Sequence, residues 1–112
     1  MWLFTTIGFF SVVRKFDDVD NDTLTVRARS RADLDALRAT YLPALGPTDE
    51  NPDRDYRFHA RVARSEFVAA VARIAADIDY DNFQATVEDR HDSHRAHVYA
   101  SVWDATRAIP PD

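Results

Sequence analysis

From Met1 to Val13 nearly every position is apolar. Read as one extended segment, this stretch puts Trp2, Phe4, Phe10 and Val12 on one side and Leu3, Ile7, Phe9 and Val13 on the other. A strand with one wet face alternates apolar and polar residues, whereas a strand covered on both faces reads as a continuous β-branched and aromatic run. The stretch is therefore predicted to be the central strand of a sheet. Gly8 interrupts it with a residue that packs nothing, so a bulge or bend is expected there, able to exchange the two faces halfway along.

The acidic run Asp17 to Asp22 then reads as a turn. Thr23 to Arg29 alternates, with Leu24, Val26 and Ala28 on one side and Thr23, Thr25, Arg27 and Arg29 on the other, and is predicted to pair antiparallel with the first strand. Ser30 and Asp33 have the spacing of a capping box, and a helix follows with Leu34, Leu37 and Tyr41 toward the sheet until Pro43 stops it. Residues 42–55 hold Pro43, Gly46-Pro47 and Asn51-Pro52 and read as an exposed, flexible loop. Tyr56 to Val62 is the third strand, with Arg57, His59 and Arg61 outward. Ser65 is the expected cap of a second helix striped by Phe67, Val71, Ile74 and Ile78. A third helix carries Phe83 and Val87. The last carries Val98, Val102, Ala105 and Ile109, and its Trp103 is expected in the core.

The element order is thus β-β-α-β-α-α. A crossover through the first helix makes the third strand parallel to the second, with the first strand between them. The predicted fold is a single α+β domain over residues 1–112. Its three-stranded sheet in order 2-1-3 has helices packed on one face, half of a ferredoxin-like arrangement.

The opening W-x-F-T-x-x-G-F-F-S-V-V at Trp2 to Val13, V-R-A-R at Val26 to Arg29, I-D-Y-D-N-F at Ile78 to Phe83 and V-Y-x-x-V-W at Val98 to Trp103 resemble a family of small uncharacterised bacterial proteins. The likeness spans most of the chain and implies no activity.

Composition narrows the functional classes. The content, 46% hydrophobic and 29% charged, is that of a globular protein. Absence of cysteine removes disulfides, thiolate nucleophiles and cysteine-ligated zinc. Two glycines, Gly8 and Gly46, cannot supply a dinucleotide-binding G-x-G-x-x-G or a P-loop. The net charge of −5 opposes non-specific attraction to nucleic acid or an anionic membrane. Basic residues are 13 arginines and one lysine, Lys15, a skew that a genome rich in G and C would itself produce. Arg14 and Lys15 follow the apolar run rather than precede it, and the run is too short to span a bilayer. A cytoplasmic location without membrane association is expected.

Most chemical motifs fail on their own terms. Asp18, Asp20 and Asp22 have D-x-D-x-D spacing, but Thr23 and Arg29 stand where an EF-hand needs glycine and glutamate. On a helix His91, His94 and His97 spread over about 9 Å of axis, so the outer two cannot share one tetrahedral ion. Glu88 and His91 have the spacing of half a di-iron motif, which three glutamates in the chain cannot complete. No metal site and no cofactor are expected. Asp92-Ser93-His94 are triad residue types whose adjacency keeps them from pointing at one another.

The outward residues Arg27, Arg29, Arg57, His59 and Arg61 remain as the candidate binding set, because they flank the aromatic run. Guanidinium forks beside aromatics suit an RNA-binding sheet or an anion site, and they equally suit guarded strand edges. The favoured function is a small interaction module that self-associates as a homodimer through its sheet face. The alternative is a nucleic-acid or anion-binding domain using the arginines, with catalysis third.

Overall fold

The opening stretch does not cross the molecule as one strand. It reverses at Thr6 and Ile7, and the computed structural model, which describes residues 1–112, has two strands in its place, β1 (Trp2–Thr5) and β2 (Gly8–Val13). Met1 N donates to the Val12 carbonyl at 2.9 Å and Val12 N donates to the Met1 carbonyl at 2.8 Å. Counting back from that pair sets Trp2 beside Ser11 and Phe4 beside Phe9, and the Phe4 and Phe9 rings stack with centroids 4.4 Å apart. Trp2, Phe4 and Phe9 thus share one face of the hairpin with Ser11, while Leu3, Phe10 and Val12 share the other. Gly8 follows the reversal and is required by a close approach. A Cβ there would lie 2.7 Å from Asp33 Cγ, and the Asp33 carboxylate accepts a hydrogen bond from Phe9 N at 3.0 Å.

The remaining elements are β3 (Thr23–Ala28), α1 (Arg31–Thr40), β4 (Asp49–Glu50), β5 (Phe58–Ala63), α2 (Arg64–Ala76), α3 (Phe83–Arg90) and α4 (Ser93–Thr106). The strands form one antiparallel sheet in the order β1-β2-β3-β5-β4. The α+β class holds; the three-stranded 2-1-3 sheet does not. β3, expected at an edge, lies in the middle, and β5 pairs with it antiparallel over six residue pairs. The physical reason is β4. The chain leaving β3 through α1 does reach a strand parallel to β3, but that strand is the two-residue β4, and the turn after it brings β5 back between them.

Alternation sorts the two faces. Phe10, Val12, Leu24, Val26, Ala28, Ala60 and Val62 are buried on the face covered by Leu34 and Leu37 of α1 and by Phe67 and Ala70 of α2. The caps differ from expectation. Ser30 makes no side-chain cap bond: Asp33 N donates to the Ser30 carbonyl at 3.2 Å, and the Asp33 carboxylate reaches the β1–β2 hairpin. Ser65 lies inside α2, whose N-cap is Ala63. Ile78, expected in the stripe of α2, falls after the helix and is 57% exposed.

Residues 42–55 are more ordered than their Gly and Pro content predicts. Leu42 and Leu45 are buried, and Gly46 N donates to the Arg61 carbonyl at 2.9 Å, prolonging the β4 edge. Arg38 clamps the segment, donating to the carbonyls of Leu45 and Gly46 and to Thr48 Oγ1 at 3.2, 2.7 and 3.1 Å.

The chain divides into two compact units, Met1–Phe4 with Gly8–Ile78, and Thr5–Ile7 with Asp79–Asp112. In the second, α3 and α4 form a helical hairpin. Asn82 and Asp92 cap them, accepting from Ala85 N at 2.9 Å and Arg95 N at 2.6 Å. Phe83 stacks on Tyr99, centroids 5.7 Å apart, and Val87 and Ala96 are buried. Trp103 is 56% exposed, contrary to expectation. Tyr99 already faces the first residue of the eight-residue α3, so the 14-residue α4 outruns its partner and Trp103 lies past its end. No helix is long and apolar enough to cross a membrane.

Candidate functional site

The sheet face away from α1 and α2 carries two rows of paired residues. One runs Ser11, Arg27, His59, Asp49 across β2, β3, β5 and β4; the next runs Val13, Thr25, Arg61. Arg27 and His59 are therefore direct neighbours, where the sequence set them on opposite sides of a central strand.

The five candidate residues have separate employments. Arg27 donates from Nη2 to Ser11 Oγ at 2.6 Å, and its guanidinium lies 4.6 Å from the centroid of Tyr56. Arg29 covers the same ring at 4.4 Å and pairs with Asp55 at 3.2 Å. Arg57 is bound to Glu50, which Arg31 also holds at 2.7 Å; hydrogen bonds from Arg31 and then Arg57 keep the Glu50 carboxyl below its usual range. Arg61 bridges Asp17 at 2.6 Å and Asp18 at 2.9 Å. Carboxylates thus already engage Arg29, Arg57 and Arg61. Arg27 has none.

Beside Arg61, Asp18 is fully buried, so the acidic turn is not uniformly solvated. Its oxygens accept from Thr23 Oγ1 at 2.6 Å, Thr25 Oγ1 at 2.8 Å, Lys15 N at 2.8 Å and Arg61 Nε at 2.9 Å. Burial pushes its pKa up, but the bonds from Thr23, Lys15 and Thr25 and the charge of Arg61 together outweigh that and hold it below the usual value. Asp18 is a structural anchor, and it fixes the backbone from which Lys15 projects.

His59 is 8% exposed and its Nδ1 lies 3.3 Å from Lys15 Nζ. Burial first, then the charges of Lys15, Arg54 and Arg27, lower its pKa to about 4, against a smaller opposing contribution from the Tyr56 backbone. The ring is neutral at physiological pH and accepts from the lysine ammonium. An open cavity of about 310 Å³ lies over this pair, lined among others by Thr25, Asp49 and Arg61. Lys15, Asp18, Asp49 and Tyr56 were not singled out from sequence as site residues. The one available signal was Lys15 itself, the lone lysine in a chain that otherwise uses arginine.

At the other end of the same face lies an aromatic strip. Trp2, 65% exposed, meets Phe9 edge-on at 6.2 Å; Phe9 stacks on Phe4 and stands 6.3 Å from Tyr56. The histidines of the second unit form no comparable cluster. His91 contacts Asp92 Oδ2 at 2.9 Å, His94 and His97 are exposed, and no group of three or more His, Asp or Glu side chains is arranged to hold a metal ion. No family model, curated protein or solved structure matches the chain.

Proposed function

We propose that the protein is a small cytoplasmic interaction module that self-associates as a homodimer through the β1 edge and the aromatic strip beside it. The observation that carries this reading is Trp2, a largely exposed tryptophan on an edge strand, Trp2–Thr5, that has no charge and no proline. Since Met1 and Val12 bond to each other, the N–H and C=O of Trp2 point outward, where no further strand of the sheet lies. Such an edge is a template for another strand. Identical copies with a net charge of −5 repel over most of their surfaces, and a strand whose side chains carry no charge is where they meet at less cost. A twofold axis beside Leu3 sets Trp2 of one copy next to Phe4 of the other, lengthening the aromatic strip in an isologous contact. The acids engaging Arg29, Arg57 and Arg61 weigh against a nucleic-acid surface, which needs those charges for phosphates. Light scattering tests the proposal: a mass near twice 12.8 kDa is expected for the native chain, falling to the monomer in Trp2→Lys with an unchanged circular dichroism spectrum. A native monomer at millimolar concentration contradicts it.

A further inference from the structure

Lys15 is the anomaly of the basic set. The chain has 19 acidic residues, and three of them, Asp17, Asp18 and Asp49, lie around this lysine, yet none is its ion partner. Asp17 and Asp18 are engaged by Arg61, and Asp49 by Arg54 at 2.8 Å. The ammonium has one side-chain hydrogen-bond partner, the imidazole of His59. A half-buried cation held only by a neutral acceptor has lost water without gaining a counter-ion. The charged residues that line the cavity beside it are Lys15, Arg61, Asp17 and Asp49, and of these Lys15 alone has no ion-pair partner. Lys15 faces the cavity of about 310 Å³, a volume at the low end of small-molecule sites. Pro47 and Ala60 supply apolar wall beside the polar lining.

We propose that this basin binds a small organic monoanion headed by a carboxylate, with Lys15 as its counter-ion, Arg61 beside it and the apolar part of the ligand against Pro47 and Ala60. Asp17 and Asp49 in the same wall select a carboxylate over a phosphate dianion, whose second charge would meet them. His59 positions the ammonium from below: a neutral ring can accept from Lys15, and a protonated one cannot. Neutral His59 is favoured by its burial and by the surrounding cations. Filling the site removes part of that positive field, so ligand binding raises the His59 pKa. This site is separate from the β1 edge and stands whether or not the protein dimerises.

The test is a titration of the uniformly ¹⁵N-labelled native chain with acetate, butyrate, inorganic phosphate and chloride, followed by amide and imidazole shifts. The expected result is saturable movement of the Lys15, Thr25 and Arg61 amides with butyrate at millimolar concentration or below. Butyrate should be at least tenfold tighter than phosphate or chloride, and tighter than acetate, and the His59 pKa should rise in its presence. Lys15→Met, which keeps the length and apolar stem of the side chain, should weaken butyrate at least tenfold. No saturable shift with any ligand, phosphate tighter than butyrate, or chloride as tight as butyrate each overturns the proposal. So does unchanged affinity in a folded Lys15→Met. Shift mapping in the native chain places the ligand without any variant, so a Lys15→Met chain that fails to fold leaves the test decisive.

Discussion

The two edges of the sheet are finished in opposite ways. At one end β4 is two residues long, both acidic, with Pro47 before it and Pro52 after it. Arg31 and Arg57 hold its Glu50, and Arg54 holds its Asp49. A short, charged strand bounded by prolines cannot template another strand. At the other end β1 is four residues long, Trp2–Thr5, with none of these devices and with Trp2 largely exposed. Of the arginines expected to guard two edges, only Arg57 engages β4; Arg27 lies on the central strand β3, Arg29 directly after it, and Arg61 on β5. Along β1 only Trp2 is exposed, Leu3 and Phe4 are half-buried and Thr5 is buried, and the proposed homodimer would use this less guarded edge.

The largest effect is expected beneath the less guarded edge. Phe10 is fully buried where β2 meets the helices, and Phe10→Ala should cost about 3–5 kcal/mol in urea unfolding; a loss under about 1 kcal/mol would mean that the hairpin is not part of the core. Next comes acid sensitivity on the guarded side, where Lys15, Arg27, Arg54 and Asp49 surround His59. With His59 lowered from 6.5 to about 4, neither the folded nor the unfolded chain protonates it above pH 6.5. Between those values the unfolded chain takes up a proton that the folded chain refuses, so stability falls as pH drops through this window. Asp18, held below 3.8, contributes stability above that value and loses it as the pH falls further. The melting temperature should be level from pH 8 to 7 and decline from 6.5 to 4, with a shallower decline in His59→Gln. Equal slopes in the two proteins would remove His59 as the cause.

Arg38→Ala should release the segment leading to β4, leaving the carbonyls of Leu45 and Gly46 without their donor, at about 1–3 kcal/mol. Faster exchange of the Gly46 amide is the local readout, and unchanged exchange would show that the Arg61 carbonyl alone holds the segment. Smallest is Trp103→Ala. At 56% exposure its loss should stay below about 0.5 kcal/mol, and a loss above about 2 kcal/mol would place the indole in a packed site.

What was legible follows from which signals are local. The alternation of Leu24, Val26 and Ala28, the antiparallel pairing of β2 with β3 and the Leu34 and Leu37 stripe of α1 all come from residues close in sequence, and they stand. The β1–β2 reversal was not legible. Thr6 and Ile7 lack the Asn-Gly or Asp-Gly chemistry of tight hairpins, and neither has positive φ. With both sides of the stretch apolar, a straight strand and a folded one wrote the same pattern. Missing β4 followed from its length, since two acidic residues among prolines carry no strand signal. That omission turned β5 from antiparallel to parallel and moved β3 from the centre to an edge. The candidate site was half legible: alternation put Arg27, His59 and Arg61 on one face, but only the register makes Arg27 and His59 neighbours, and only the fold around Asp18 brings Lys15 to the imidazole.

The contrast between the edges is tested most directly by hydrogen exchange at the Trp2 amide as a function of protein concentration. If β1 pairs with its copy, that outward N–H is protected at high concentration and becomes freely exchanging on dilution, while the Gly46 amide, bonded within the chain to the Arg61 carbonyl, exchanges at one rate throughout. A Trp2 amide that exchanges freely at every concentration would contradict the account.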